Sequence, residues 1–236
     1  MRKFLIVLLV LVVAGLIGAD RFGKMRAEAE VARQVAAQYR LPERPSVEIG
    51  GFPFLTQAIS GTYQRIDVGI GDYTQQGVTV QDVKVRLDDL NAPLSDLLKG
   101  DQTNVRARTA TASAVIPYGV LQRQVAERGV QKVSRSGGDV LLEGTFTYLG
   151  ISAPIGVTVS IEPTVQGIVI TPRTVQASGV QVPIGLIKRD LTYTVPVTGL
   201  PMGSRITAVE PVDTGLRITG TAQNVDLSGV SQSTTG

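Results

Sequence analysis

Residues 63–87 read YQRIDVGIGDYTQQGVTVQDVKVRL, and their alternation sets the fold class. Ile66, Val68 and Ile70 fall on one side of an extended chain, with Arg65 and Asp67 on the other. After a Gln-Gln-Gly turn signal the theme returns, with Val83, Val85 and Leu87 opposite Asp82, Lys84 and Arg86. Successive side chains of a strand point to opposite faces, so this stretch describes two strands with one buried face, as in antiparallel sheet.

The pattern extends outward. Residues 105–115, 140–149, 155–161, 168–175, 205–209 and 216–222 are further strands, each bounded by Gly, Pro or Asn/Asp turn signals. Three short helices are expected among them. Residues 91–100 carry a capping Asn91, a first-turn Pro93 and a terminal Gly100; residues 117–128 place Tyr118, Leu121 and Val125 on one stripe before Gly129; a third covers 184–190. A sheet with one apolar face and a few helices to cover it is an α+β arrangement. No linker divides residues 46–230, which are expected to form one domain, with residues 231–236 a disordered polar tail.

Ahead of that domain, residues 4–19 read FLIVLLVLVVAGLIGA, without a charge, behind Arg2-Lys3 and before Asp20-Arg21. Such a run at the N-terminus is a targeting segment, so residues 1–21 are expected to be a signal-anchor or a signal peptide. A cut after Ala19 would put Ile17 at the −3 position, where a small residue is needed. At ~1.5 Å per residue the run reaches roughly 24 Å, short of the ~30 Å hydrocarbon core, and Lys3 and Arg21 can snorkel to close the gap. Residues 22–45 then form a helical stalk, with Met25, Ala29, Ala32, Ala36 and Tyr39 on one face and prolines 42 and 45 ending it. The expected location is the cell membrane, with the domain on its outer, periplasmic side.

Composition narrows the function. The 236 residues contain no Cys and no His, which excludes disulfides, thiol nucleophiles, Ser-His-Asp triads and His-ligated zinc. The net charge of +3 is mostly the N-terminus: without Arg2 and Lys3 the 23 basic residues fall to 21, against 20 acids. The body therefore lacks the basic face of a nucleic-acid binder, and no nucleic-acid partner is expected. Asp88-Asp89 is the only adjacent acid pair, and neighbours in a strand face opposite ways unless a bulge intervenes. Gly69-Ile-Gly71 lacks the third glycine of a dinucleotide site. Ser95 and Lys99 sit four apart on a helix rim as a solvated pair. No catalytic residues, metal site or cofactor are expected, and the chain is read as a non-enzyme.

Gly50-Gly-Phe-Pro-Phe-Leu-Thr-Gln57 places two of the five phenylalanines around a proline. It suits a turn whose rings fill the end of the domain, an apolar lip that meets acyl chains, or both. Here the sequence resembles the LmeA-like phospholipid-binding family of actinobacterial envelope proteins, on Gly51, Phe52, Pro53, Phe54, Leu55, Gln57, Gly61, Tyr63, Ile66 and Val68. The resemblance implies a membrane-tethered protein that binds phospholipid, including phosphatidylinositol types, and supports lipoglycan assembly. An envelope glycosyltransferase is a candidate protein partner. It also implies a strongly curved antiparallel sheet, like the tubular lipid-binding domains. Lipid-binding residues are then expected at Phe52, Phe54, Leu55, Ile66 and Val68. Arg106 and Arg108, alternating with Val105 and Ala107, share one face and can meet a lipid phosphate. Ala110, Ala112 and Ala114 are small residues expected to leave room for acyl chains on the inner face. The alternative is a non-catalytic envelope scaffold that binds a membrane enzyme or a cell-wall polymer.

Overall fold

The computed structural model describes residues 2–75, 77–93, 105–148, 151–165, 167–177, 180–182, 192–196, 200 and 203–227. Most of helix 91–100, the 184–190 helix, the Ser95/Lys99 pair and the polar tail lie outside the described residues.

One helix, α1 (Arg2–Gln38), runs unbroken through both the apolar segment and the stalk. It stops where Arg40 turns left-handed (φ 50°), with Arg40 N–H donating to the Ala37 carbonyl and Leu41 N–H to that of Ala36. These two bonds satisfy carbonyls that the helix end would leave orphaned. Strand β1 (Ser46–Gly50) pairs antiparallel with the start of β2 (Thr62–Gln75), Ile49 opposite Ile66, and a short helix α2 (Phe54–Ser60) closes the gap between them. Then follow β3 (Val78–Asn91), β4 (Arg106–Pro117), α3 (Tyr118–Val125) and the 3-10 turn Ala126–Arg128. The order continues with β5 (Val130–Ser136), β6 (Asp139–Tyr148), β7 (Ile151–Thr164) and β8 (Gly167–Ala177). The last strands are β9 (Val180–Val182), β10 (Tyr193–Pro196), β11 (Arg205–Val212) and β12 (Gly215–Asp226).

The α+β class holds, with the strands divided between two antiparallel sheets. The first has the order β1-β2-β3-β4-β12-β11 and the second β10-β8-β7-β6-β5, with β9 on β8. The buried residues form two apolar clusters, one within the first sheet and α2, the other shared by strands of both sheets. Two compact units result, one from Met1–Ile70, Lys84–Thr111 and Ala222–Gly236, the other from Gly71–Val83 and Ala112–Thr221.

In the first unit Ile49, Phe54, Tyr63, Ile66, Leu90, Ala92 and Ala107 form the core, with Ala27 of α1 packed on it. In the second, Val133, Val140 and Val159 share a core with Val209 and Leu216, and α3 contributes Tyr118, Leu121 and Val125 as its stripe predicts. Gly129 stops the 3-10 turn that follows α3, in the left-handed region (φ 81°).

Two expectations are corrected. Of the expected stalk face of α1, Ala32 is buried and Ala36 half-buried, but Met25, Ala29 and Tyr39 are exposed. The packed stripe runs through Asp20, Gly23, Lys24, Ala27, Glu28, Val31 and Ala32, the helical i, i+3, i+4 spacing. Polar side chains make part of that contact by hydrogen bonding, so hydropathy alone misplaces it. Along β4, Ala110, Ala112 and Ala114 keep step with exposed Arg106 and Arg108, while the buried residues are Ala107 and Val115. The stripe of small residues thus shares the arginines' face of the strand, opposite the buried one.

Candidate functional site

The Gly50–Gln57 block is built by partners that come from distant sequence. Pro53 occupies the N-cap position of α2 and has no side-chain acceptor to offer. Asp20 of α1 supplies one: its Oδ1 accepts the Leu55 N–H at 2.7 Å, and the residue is only 4% exposed. A carboxylate at a helix start satisfies an orphan donor and opposes the positive end of the dipole. Below it, Gly23 leaves α1 open to Phe54 and Leu55, whose atoms would lie 3.4–3.6 Å from a Cβ placed there. One turn further, Glu28 Oε1 accepts the Ile49 N–H at 2.8 Å and pairs with Lys24 at 3.5 Å, so α1 closes the free edge of β1.

Gln57, itself buried, clamps the two strands that flank α2. Its Nε2 donates to the Gly50 carbonyl at 3.1 Å, and its Oε1 accepts the Gln64 N–H at 2.9 Å. Gly61 ends α2 in the left-handed conformation (φ 68°), where a Cβ would meet the Pro93 Cα at 2.7 Å. Much of the block is therefore architecture: Gly61 and Gln57 hold the turn, and Phe54 fills the core. Phe52 and Leu55 point outward, as does Ile59 one turn along α2. The Arg21 guanidinium lies over the Phe52 ring, 5.7 Å from its centroid, and Arg26 lies over Phe22 at 5.0 Å. Phe22 and Met25 are exposed too, and α1 from Ile6 to Ala19 makes no buried contact. An apolar helix leaves the unit beside an apolar patch.

A second feature of the same unit is a depression of about 370 Å³ lined by Asp89, Asn91, Arg106, Ala107, Arg108, Asn224 and Asp226. Two strand irregularities create it. Leu87 and Leu90 of β3 both face the core although they are three residues apart, because Asp89 is left-handed (φ 49°). That extra residue is a bulge, and it puts Asp88 and Asp89 on the same outer face, correcting the alternation expected for them. Asp88 accepts from Arg65 at 3.2 Å and Asp89 from Arg108 at 3.0 Å. In β12, Ala222 and Val225 are both buried and Asn224 (φ 51°) takes the extra position. Arg106 pairs with Asp226 at 3.4 Å. The two arginines of the depression are thus matched by two aspartates, all partly exposed. Its lining suits a polar group rather than an acyl chain. Among the described residues no cluster of acidic ligands could hold a metal ion.

A family model described as LmeA-like phospholipid-binding matches residues 18–221, most of the chain. The chain belongs to that family. Comparisons with curated proteins and with solved structures returned no match. In this LmeA-like chain the seven residues expected to meet lipid are placed in three settings. Phe54 and Ile66 are core, with Val68 packed against it; Phe52 and Leu55 are surface; Arg106 and Arg108 line the depression. The sequence did not reveal Asp20, Ile59, Asn224 and Asp226, and it showed Gln57 only as part of the family block. Apolar residues three apart within a period-two strand, as at Leu87/Leu90 and Ala222/Val225, are the signal that would have exposed both bulges.

Proposed function

We propose that this chain is a non-catalytic phospholipid-binding protein of the cell envelope, tethered by α1 to the outer side of the membrane, with residues 46–230 as its lipid-binding body. The observation that carries the lipid is the family match across residues 18–221. The tether is supported by an N-terminal helix long and apolar enough to cross a membrane, exposed along almost all of its apolar run. Of the residues expected to meet lipid, Phe52 and Leu55 supply the exposed apolar contact, Phe54, Ile66 and Val68 support them from the core, and Arg106 and Arg108 supply the headgroup side. For an arginine to take a phosphate it must exchange its aspartate partner for a second anion. A partly exposed pair is worth only ~0–1 kcal/mol, so the exchange costs little. The biological role is carriage or sensing of phospholipid, phosphatidylinositol types included, in support of lipoglycan assembly beside an envelope glycosyltransferase.

Solvent extraction and mass spectrometry of the chain from Asp20 onward, which keeps the packed face of α1, tests this reading. Near-stoichiometric phospholipid is expected. A lipid-free preparation that also takes up none from vesicles would replace it with the scaffold alternative.

A further inference from the structure

In sequence, Asp20 ends the apolar run. In the folded chain it does not end the apolar surface, because its carboxylate is buried as the cap of α2. Phe22 and Met25 continue that surface down α1, and Phe52, Leu55 and Ile59 extend it sideways onto the body, with Ile59 82% exposed. We infer that the exposed patch formed by α2 and the turn before it, Phe52, Leu55 and Ile59, is seated in the interface of the same bilayer that α1 crosses. The inference rests on α1 being the membrane segment and names where the body meets that membrane.

Two observations choose a bilayer as the occupant of this face. The first is continuity and length. Residues 4–19 fall about 6 Å short of the ~30 Å hydrocarbon core, or about four residues of helix. Four more residues reach Gly23, whose position touches Leu55 and Phe54. The membrane edge then falls at the level of α2 rather than beyond it. The second is charge. The exposed charges of this stretch are Arg21 and Arg26, each laid over an exposed aromatic ring. Arginine and aromatic rings together suit the headgroup layer, where the ring sits among the chains' ends and the cation meets phosphate.

The chain has no Cys, so one introduced thiol is a unique probe site. The test is spin labelling of Ile59→Cys, Val12→Cys and Lys132→Cys in the full chain, in vesicles of phosphatidylcholine and phosphatidylglycerol. Accessibility to oxygen is compared with accessibility to a water-soluble nickel chelate. Ile59 and Lys132 are exposed, so neither substitution disturbs a core. Nickel accessibility at 59 is expected several-fold below that at 132, with 12 deeper still. If 59 matches 132 while 12 is lipid-buried, the docking is wrong and the tether stands. If 12 is itself nickel-accessible, the tether fails and the docking with it. Dipolar broadening between labels at 59, lost on dilution with unlabelled chain, would assign the face to a second copy and overturn the inference.

Discussion

Asp20 shows how one side chain can belong to two structures at once. It closes the apolar run along the chain, and across space it caps a helix whose first residues lie 35 positions away. Ordinary N-cap losses cost ~0.5–2 kcal/mol. Asp20→Ala is therefore expected to speed amide hydrogen exchange through Phe54–Ser60 by about tenfold, the equivalent of ~1.4 kcal/mol, with β6 and β7 unchanged. Asp20→Asn keeps an acceptor and should restore most of the protection. Exchange in α2 that ignores both substitutions would mean that packing of Phe54 alone holds the helix. Gln57 and Gly61 also stand in the motif for backbone reasons. Their type was visible in the sequence, but their role was not, since a glutamine reveals nothing of the carbonyl and amide it will bridge.

Elements carry a similar lesson. The long strands β2, β3, β4 and β12 were legible because alternation is a local, repeated signal. Helix α2 was not: seven residues have no room to show helical periodicity, and its cap comes from α1. The bulges at Asp89 and Asn224 were hidden by the assumption of strict alternation, yet they shape the depression around Arg106 and Arg108. Those arginines bridge β4 to its neighbours through exposed pairs, which contribute ~0–1 kcal/mol each. Arg106→Ala with Arg108→Ala should accordingly leave the thermal midpoint within a few degrees. If the proposed headgroup contact is right, the same double variant loses most of its co-purified phospholipid. Unchanged lipid with unchanged stability would remove these two residues from the site.

At the scale of the whole molecule, stability at high pH follows from two tyrosines in different units. Burial pushes the phenols of Tyr63 and Tyr118 above the usual 10.0, and Tyr118 also donates to the Val212 carbonyl at 3.0 Å. An acid whose folded pKa is raised holds its proton longer in the folded state, so the folded state binds more protons in that window. Its stabilisation is complete below the unfolded value and is lost as pH rises through the folded one. The unfolding midpoint should hold level from about pH 8 and begin to fall near pH 10. Tyr63→Phe with Tyr118→Phe should flatten that fall, as read by circular dichroism. An identical decline in the double variant would place the alkaline sensitivity elsewhere.

The order of residues by itself determined that a charge-free apolar run, residues 4–19, follows Arg2-Lys3 and that the chain continues as α+β with one-faced strands. It also determined that His and Cys chemistry are absent and that the GFPFL block resembles the LmeA-like family. These are local or compositional properties, and neighbours along the chain are enough to express them. Only the tertiary structure decided that the strands divide between two sheets, that Asp88 and Asp89 share a face, and that the alanines of β4 lie beside the arginines. It alone decided where the apolar surface stops. Whether a charge interrupts such a surface depends on whether a partner buries it, and the partner of Asp20 is a backbone amide that only folding brings within reach.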